Sequence, residues 1–140
     1  MKRFAANYIF PITSAPIKNG YVEVEDDGTI IKIGALEKEM PSTQFYNGII
    51  VPGFINAHCH IELSHLKGKF RKGSGMAGFI DQINELRESA PEHVRKARIK
   101  EEMDSLWEQG VSAMADISNC DESFNIKRES PLYTRTFIEV

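Results

Sequence analysis

The sequence is poor in cysteine, in excess positive charge and in long apolar runs. Two cysteines in 140 residues, Cys59 and Cys120, do not make a disulfide framework, so a reducing cytoplasm is the expected location. A net charge of −3 predicts neither nucleic acid nor an anionic membrane as a partner. No apolar run approaches the roughly 20 residues that span a bilayer, and residues 1–7 lack the apolar stretch of a signal peptide. The composition is that of an ordinary globular chain with a core.

The first third of the chain predicts short strands separated by turns. Residues 21–25 alternate in polarity, an Asp-Asp-Gly turn follows, and residues 29–33 form a second β-rich run. Two such runs around an Asp-Gly turn are typical of a hairpin. A further apolar run over residues 49–57 predicts a buried strand that ends at His58. Residues 1–51 are therefore expected to form part of a small antiparallel sheet or sandwich.

After Gly53 the pattern changes to strands that alternate with helices. The order is strand, basic connection, two helices, strand, short helix, strand, which is the pattern of parallel βα units. The predicted ranges are 49–58 for the first strand, 62–75 for the connection, 79–86 and 91–109 for the helices, 111–117, 121–127 and 132–140 for the rest. Three strands are too few to close a (β/α)8 barrel, so the sequence predicts an open sheet or a piece of something larger.

The segment His58-Cys59-His60 carries the clearest chemical signal. Side chains alternate along a strand, so His58 and His60 are expected to share one face while Cys59 points away and packs. Two neutral imidazoles on one face can bind one divalent metal ion. Spacing alone supports a metal site and a pair of ordinary histidines equally. The apolar strand before the pair and the polar residues after it favour the metal site.

The residues around this pair resemble a known family. The stretch Pro-Gly-Phe-Ile-Asn-Ala-His-Cys-His at positions 52–60 is similar to the first barrel strand of the amidohydrolase superfamily. The β-rich segment before it resembles the small β-sandwich domain that many members carry. Residues 58–66 resemble the cytosine-deaminase-like and chlorohydrolase-like branch, most closely the aminodeoxyfutalosine deaminase family. The resemblance covers the whole chain in order, although only the strand around His58 is sharply diagnostic.

The resemblance implies an α/β fold, the N-terminal portion of a metal-dependent hydrolase. Residues 1–51 would be part of a β-sandwich domain, and residues 52–140 the first βα units, with about three strands, of an incomplete (β/α)8 barrel. His58 and His60 correspond to the two first-strand ligands of one divalent ion, zinc or alternatively iron(II). The family's other ligands and its proton-shuttling Glu lie on later strands. The isolated chain is therefore expected to be inactive, and its site can lack a metal ion.

The implied reaction is deamination of a purine-like or nucleoside-derived substrate by a metal-activated water. Glu62 and His65 are the candidate substrate-binding residues, because they follow the strand at the mouth of the barrel, where active sites lie. The alternatives are a solvated loop carboxylate for Glu62 and a solvent-facing loop histidine for His65. Asp116, within the strand over residues 111–117, needs a partner if it is buried and is expected to be structural.

Other interpretations stay open at this stage. One is a non-catalytic binding or scaffolding domain that has kept a two-histidine site. Another is a related chlorohydrolase or cyclic-amide hydrolase, because a fold does not settle a function. The expected partners are a small-molecule substrate and either the rest of the barrel or further copies of the chain, in a homo-oligomer.

Overall fold

A computed structural model describes residues 1–139 of the chain. It divides into two compact units, with the boundary between Pro52 and Gly53. The predicted end of the last strand at Val140 lies outside the described residues. Within residues 1–139 no helix has the length and apolar character needed to cross a membrane.

The first unit contains one four-stranded sheet with the strand order β3-β2-β1-β4. The strands are β1 (Lys2–Ile9), β2 (Ile17–Val24), β3 (Ile30–Ala35) and β4 (Thr43–Ile50). The antiparallel pairing of β2 with β3, in which Glu23 faces Lys32, confirms the predicted hairpin. β4 is parallel to β1, so the sheet is mixed rather than purely antiparallel. The reason is topological, because the chain crosses from β3 at one edge to the opposite edge before β4 begins.

The core of this sheet is small. Ala6, Ile9 and Val22 are buried together, and Ile17, Val24 and Ile50 pack against them. These side chains come from β1, β2 and the end of β4, so the apolar contacts join three of the four strands.

The second unit contains three parallel strands in the order β5-β6-β7. Its elements are β5 (Phe54–Cys59), a 3₁₀ helix (Ile61–Leu66), α1 (Gly75–Leu86), α2 (Glu92–Glu108), β6 (Val111–Ser118), α3 (Phe124–Glu129) and β7 (Tyr133–Ile138). This order confirms the predicted βα pattern. The 3₁₀ helix occupies the first part of the predicted basic connection. The carboxyl ends of parallel strands meet at one edge of a sheet, which brings the residues after β5, β6 and β7 together.

The apolar run over residues 49–57 is two strands, and the prediction of a single strand is wrong. β4 ends at Ile50 and β5 begins at Phe54. Pro52 has no N–H to donate to a sheet. A Cβ at Gly53 would lie 2.6 Å from the Cβ of Ser112, so the backbone approaches β6 more closely there than any side chain allows. The run therefore passes from the first unit into the second, and only its second half carries the histidines.

One apolar core supports the parallel sheet. Its buried members are Ile61, Ile99, Met103, Met114 and Leu132, with Cys59, Leu106, Val111 and Ile126 packed at its margin. The core joins α2 to β6 and to the 3₁₀ helix that follows the histidine pair. The position of this helix is thus determined by packing on α2 as well as by its chain connection to β5.

An ion pair connects α2 to the segment before α3. The Nε of Arg95 donates to both carboxylate oxygens of Glu122, at 3.2 and 3.1 Å. These hydrogen bonds, together with the charge of Arg95, hold the pKa of Glu122 below its ordinary value. Arg95 also contacts the carboxylate of Glu88 at 2.8 Å, but that side chain is 75% exposed.

We expect Glu122→Gln to lower the melting temperature of the protein at neutral pH by about 1–2 °C. Because the pKa of Glu122 is lower in the folded state, its contribution is complete above the pKa of the unfolded chain. It is lost as the pH falls through the folded pKa. The variant should therefore melt closer to the wild type in acid than at neutral pH, in scans between about pH 3 and 7. Glu88→Gln is the matched control and should change little, because exposed pairs contribute little. Equal losses in the two variants would contradict the assignment.

Candidate metal and substrate site

His58 and His60 lie at the carboxyl end of β5, with their ring centroids 5.3 Å apart. His58 is exposed and His60 is half-buried. The side-chain oxygen of Asn56 accepts a hydrogen bond from the backbone N–H of His58 at 3.2 Å. The pairing of β5 with β6 is irregular in this stretch. At His60, with φ −127° and ψ 78°, the chain leaves the strand and enters the 3₁₀ helix. The two imidazoles thus lie side by side where the strand ends.

Cys59 packs into the core, in the role that strand alternation predicts. Its Sγ lies 3.9 Å from the Sδ of Met114 and 3.7 Å from Oδ1 of Asp116. Burial, with the charge of Asp116 as the second cause, raises the pKa of Cys59 to about 12. The thiol is therefore protonated at neutral pH and makes packing contacts.

The two imidazoles fit part of a metal site. At this separation both rings can reach one zinc ion, which binds histidine nitrogen at about 2.1 Å. Within residues 1–139 no cluster of three or more His, Cys, Asp or Glu side chains is placed to bind a metal ion. A catalytic zinc site usually has three protein ligands. The described residues therefore bring together two candidate ligands, fewer than such a site needs.

Glu62 is almost completely buried, with only 4% of its surface exposed. The alternative of a solvated loop carboxylate is therefore wrong. Oε2 accepts hydrogen bonds from the backbone N–H groups of Asn119 at 2.9 Å and Cys120 at 3.2 Å. Oε1 lies 3.9 Å from Nη2 of Arg87 and has no hydrogen-bond partner among the described residues. The carboxylate thus joins the 3₁₀ helix to the segment after β6, and one of its oxygens keeps unused acceptor capacity.

His65 is also buried, with 7% of its surface exposed, so the alternative of a solvent-facing histidine is wrong. Its Nε2 lies 2.9 Å from the carbonyl oxygen of Arg87, and its Nδ1 lies 3.3 Å from the carbonyl oxygen of Glu62. Both partners are acceptors, so the shorter contact assigns the proton of a neutral ring to Nε2. The ring therefore donates to the backbone at the end of α1 and lies against the backbone of Glu62 without a second hydrogen bond.

Asp116 and Lys127 form a buried ion pair between β6 and α3. Asp116 is completely buried, as its expected structural role requires, and Lys127 of α3 is 6% exposed. The expectation that a buried Asp116 needs a partner is confirmed. Sequence reasoning missed the partner, because Lys127 lies in a stretch that predicts only a weak helical turn. It also missed Arg87 and Asn119, which no local motif distinguishes from other polar residues.

The chain is similar to several known enzymes, although no family model matches it. A curated adenosine deaminase of Helicobacter pylori is 32% identical over 119 residues, which are 81% of this chain and 29% of that protein. The crystal structure of Helicobacter pylori aminofutalosine deaminase in complex with methylthio-coformycin matches with a TM-score of 0.78 and 25% identity, covering 100% of this chain and 35% of that one. Atrazine chlorohydrolase TrzN from Arthrobacter aurescens TC1, complexed with zinc, matches with a TM-score of 0.74 over 99% of this chain and 35% of that one, at 13% identity.

The matched proteins are enzymes of the amidohydrolase superfamily, and the chain corresponds to the N-terminal portion of their fold. The predicted resemblance to this superfamily is thereby confirmed. The α/β architecture, as the N-terminal part of a (β/α)8 barrel, is confirmed with it. The chain spans about a third of the length of the proteins that it matches. The likeness to TrzN is a likeness of fold alone.

The two thiols of the chain should differ in reactivity. Cys120 is exposed and Cys59 is half-buried. Partial burial is the largest cause that raises the pKa of Cys120, and a hydrogen bond to Glu62 raises it further. Iodoacetamide at about pH 8 should therefore modify Cys120 before Cys59, because the thiolate is the reacting species. Glu62→Gln should speed modification of Cys120 severalfold, since it removes the charge beside the thiol.

Peptide mass spectrometry over a time course measures both rates in the full-length protein. Cys59→Ser is the control and should leave the rate at Cys120 unchanged. Equal rates at the two cysteines, or a slower Cys120 in the Glu62→Gln variant, would contradict the geometry.

Proposed function

We propose that the full-length protein is a metal-dependent aminohydrolase that deaminates a purine-like or nucleoside-derived substrate. The observation that carries this proposal is the pair of imidazoles, 5.3 Å apart, at the carboxyl end of a parallel strand. Barrel enzymes have their active sites at this end of the strands. The sequence similarity to an adenosine deaminase and the fold of an aminofutalosine deaminase support deamination as the reaction.

His58 and His60 are the proposed metal ligands. Zinc is the proposed ion and iron(II) the alternative, because imidazole is a good ligand for both. The zinc in the TrzN structure supports this choice. A bound ion supplies Lewis acidity, which lowers the pKa of a water molecule towards neutrality. We place the remaining ligands and the proton-shuttling residue in the part of the protein beyond this chain, and we assign no catalytic residue within it.

Glu62 is the proposed substrate-binding residue next to the metal ligands. Its Oε1 has unused acceptor capacity, and Oε2 is fixed by two backbone N–H groups. A hydroxyl or amino group of a nucleoside-like substrate is the kind of donor that such an oxygen accepts. His65 would support Glu62 by filling the space beside the backbone that carries this carboxylate, held there by its hydrogen bond to the carbonyl oxygen of Arg87. A direct contact of His65 with the substrate stays a prediction.

We also propose a cytoplasmic location for the protein. Two free thiols agree with the reducing cytoplasm that the sequence predicts. Assembly into a homo-oligomer stays a prediction. The alternatives of a non-catalytic domain or a related chlorohydrolase are decided by the experiment below, because only the proposed enzyme releases ammonia.

Loss of either histidine should abolish metal-dependent deamination. His58→Ala and His60→Ala remove proposed ligands, so each should lower kcat/KM by more than about a hundredfold, the upper range for losing a supporting residue. The assay is ammonia release from aminated purine nucleosides by the full-length protein, with zinc content measured by plasma emission. His93→Ala is the matched control, because His93 is exposed in the first turn of α2. Removal of the metal by a chelator should abolish activity, and added zinc should restore it.

Three results would argue against the proposal. One is an inactive wild type that nevertheless binds zinc, which would favour a non-catalytic binding domain. Another is unchanged activity in both histidine variants. The third is chloride release in place of ammonia, which would favour a chlorohydrolase.

Replacing Glu62 should affect substrate binding more than metal binding. A hydrogen bond to a charged group contributes about 1.5–3 kcal/mol, so Glu62→Gln should lower kcat/KM by about 10- to 150-fold with normal zinc content. Steady-state kinetics at saturating zinc measure the change. Glu122→Gln is the control, because that carboxylate is also paired with an arginine but belongs to the α2 contact. A Glu62→Gln enzyme with wild-type KM and kcat would exclude Glu62 from the substrate site.

A further inference from the structure

We propose that Asp116 is a positioning residue for the His58–His60 pair, acting through the backbone on both sides of His60. Asp116 touches neither imidazole in the contacts described above, and it lies on β6 rather than on β5. The inference rests on the proposed function in one respect, namely that the histidine pair binds a metal ion.

One oxygen of Asp116 contacts both neighbours of His60. Oδ1 accepts a hydrogen bond from the backbone N–H of Ile61 at 2.8 Å, and it lies 3.7 Å from Sγ of Cys59. His60 is thus held between two residues that meet the same atom. At His60 the strand ends and the 3₁₀ helix begins, so these contacts act where the backbone direction changes. The direction of the His60 side chain depends on that change.

The other oxygen of Asp116 is fixed from the opposite side. Oδ2 accepts a hydrogen bond from Oγ of Ser118 at 2.7 Å and forms the ion pair with Lys127. The Nζ of Lys127 also donates to Oγ of Ser118 at 3.2 Å and to Oγ1 of Thr136 at 3.0 Å. An ammonium group has three protons and here has three acceptors. The carboxylate is therefore fixed by β6, by α3 and, through Lys127, by β7.

The buried ion pair of Asp116 and Lys127 is poorly explained by a contribution to the free energy of unfolding alone. Replacing a buried ion pair by apolar side chains of similar volume is often neutral or stabilising. Apolar side chains, however, would leave the buried N–H of Ile61 without its acceptor beside His60. Residues that orient metal ligands commonly change metal affinity by about 10- to 100-fold when they are replaced. The specific contribution of Asp116 is thus an acceptor at the turn that carries His60.

Two double variants of the full-length protein separate positioning from stability. Asp116→Leu with Lys127→Met replaces the ion pair by apolar side chains and removes the acceptor for Ile61. Asp116→Asn with Lys127→Met also removes both charges but keeps an oxygen at this position. We expect the leucine variant to bind zinc about 10- to 100-fold more weakly than the wild type. The asparagine variant should stay within about threefold of the wild type, because it keeps the hydrogen bond.

Zinc affinity is measured by competition with a chromophoric chelator, and the ligand field by the visible spectrum of the cobalt(II) form. The cobalt spectrum should change in the leucine variant and be restored in the asparagine variant. If the leucine variant does not fold, Asp116→Ala with Lys127→Met replaces it in the comparison with the asparagine double variant.

The outcomes distinguish this inference from the proposed function. A wild-type protein that binds no zinc would overturn the proposed function and the inference with it. Normal zinc binding by the wild type, with equal affinity in the two double variants, would overturn the positioning role alone.

Discussion

The second unit depends on the buried charge of Asp116. A carboxylate that leaves water in this way loses several kcal/mol of solvation unless hydrogen bonds and an opposite charge replace it. Here the replacement comes from Lys127, Ser118 and the backbone of Ile61. These partners belong to α3, β6 and the 3₁₀ helix, so satisfying one charge requires three elements to be placed correctly. A helix as short as α3 has little stability of its own, and the buried lysine gives it a defined position.

The sequence predicted the features that depend on local pattern. Alternation along β5 was sufficient to predict that Cys59 packs into the core and that His58 and His60 lie near each other, because a strand has a period of two residues. Pro91 and Gly110 delimited α2 to within about two residues, since both restrict the backbone locally. The order of strands and helices followed from the change in hydrophobic spacing after Gly53.

The features that the sequence did not predict depend on distant residues. The burial of Glu62 requires backbone N–H groups of Asn119 and Cys120, which lie 57 and 58 residues further along the chain. The parallel position of β4 depends on which edge of the sheet is open. Pro52 was a local indication that β4 ends at Ile50. The continuous apolar run nevertheless led to the prediction of one strand. Apolar composition shows that residues are suited to burial, and it does not show that they share one strand.

Several apolar residues of the parallel sheet are exposed, and the reason is that the chain corresponds to only part of the barrel fold that it matches. Phe54, Ile55, Tyr133 and Phe137 are between 51% and 71% exposed. Parallel sheets in α/β proteins are normally covered on both faces, so these side chains are suited to contact with further barrel elements. In such a barrel each strand end contributes its own polar residues to one shared site. A chain with the first strands is therefore expected to carry the two histidines without a complete ligand set, as the described residues do.

Glu62 and Asp116 are both buried carboxylates, but they differ in how many of their oxygens have hydrogen-bond or ion-pair partners. Asp116 has partners on both oxygens and a lysine that neutralises it. A carboxylate in this state has nothing left to offer a ligand. Glu62 has backbone partners on one oxygen only, and its arginine is too distant at 3.9 Å for a hydrogen bond. An unpaired buried acceptor is costly, and a substrate donor would remove that cost. This difference in pairing is the physical reason for proposing the fully paired carboxylate as a support of the histidine pair and the half-paired one as a substrate-binding group.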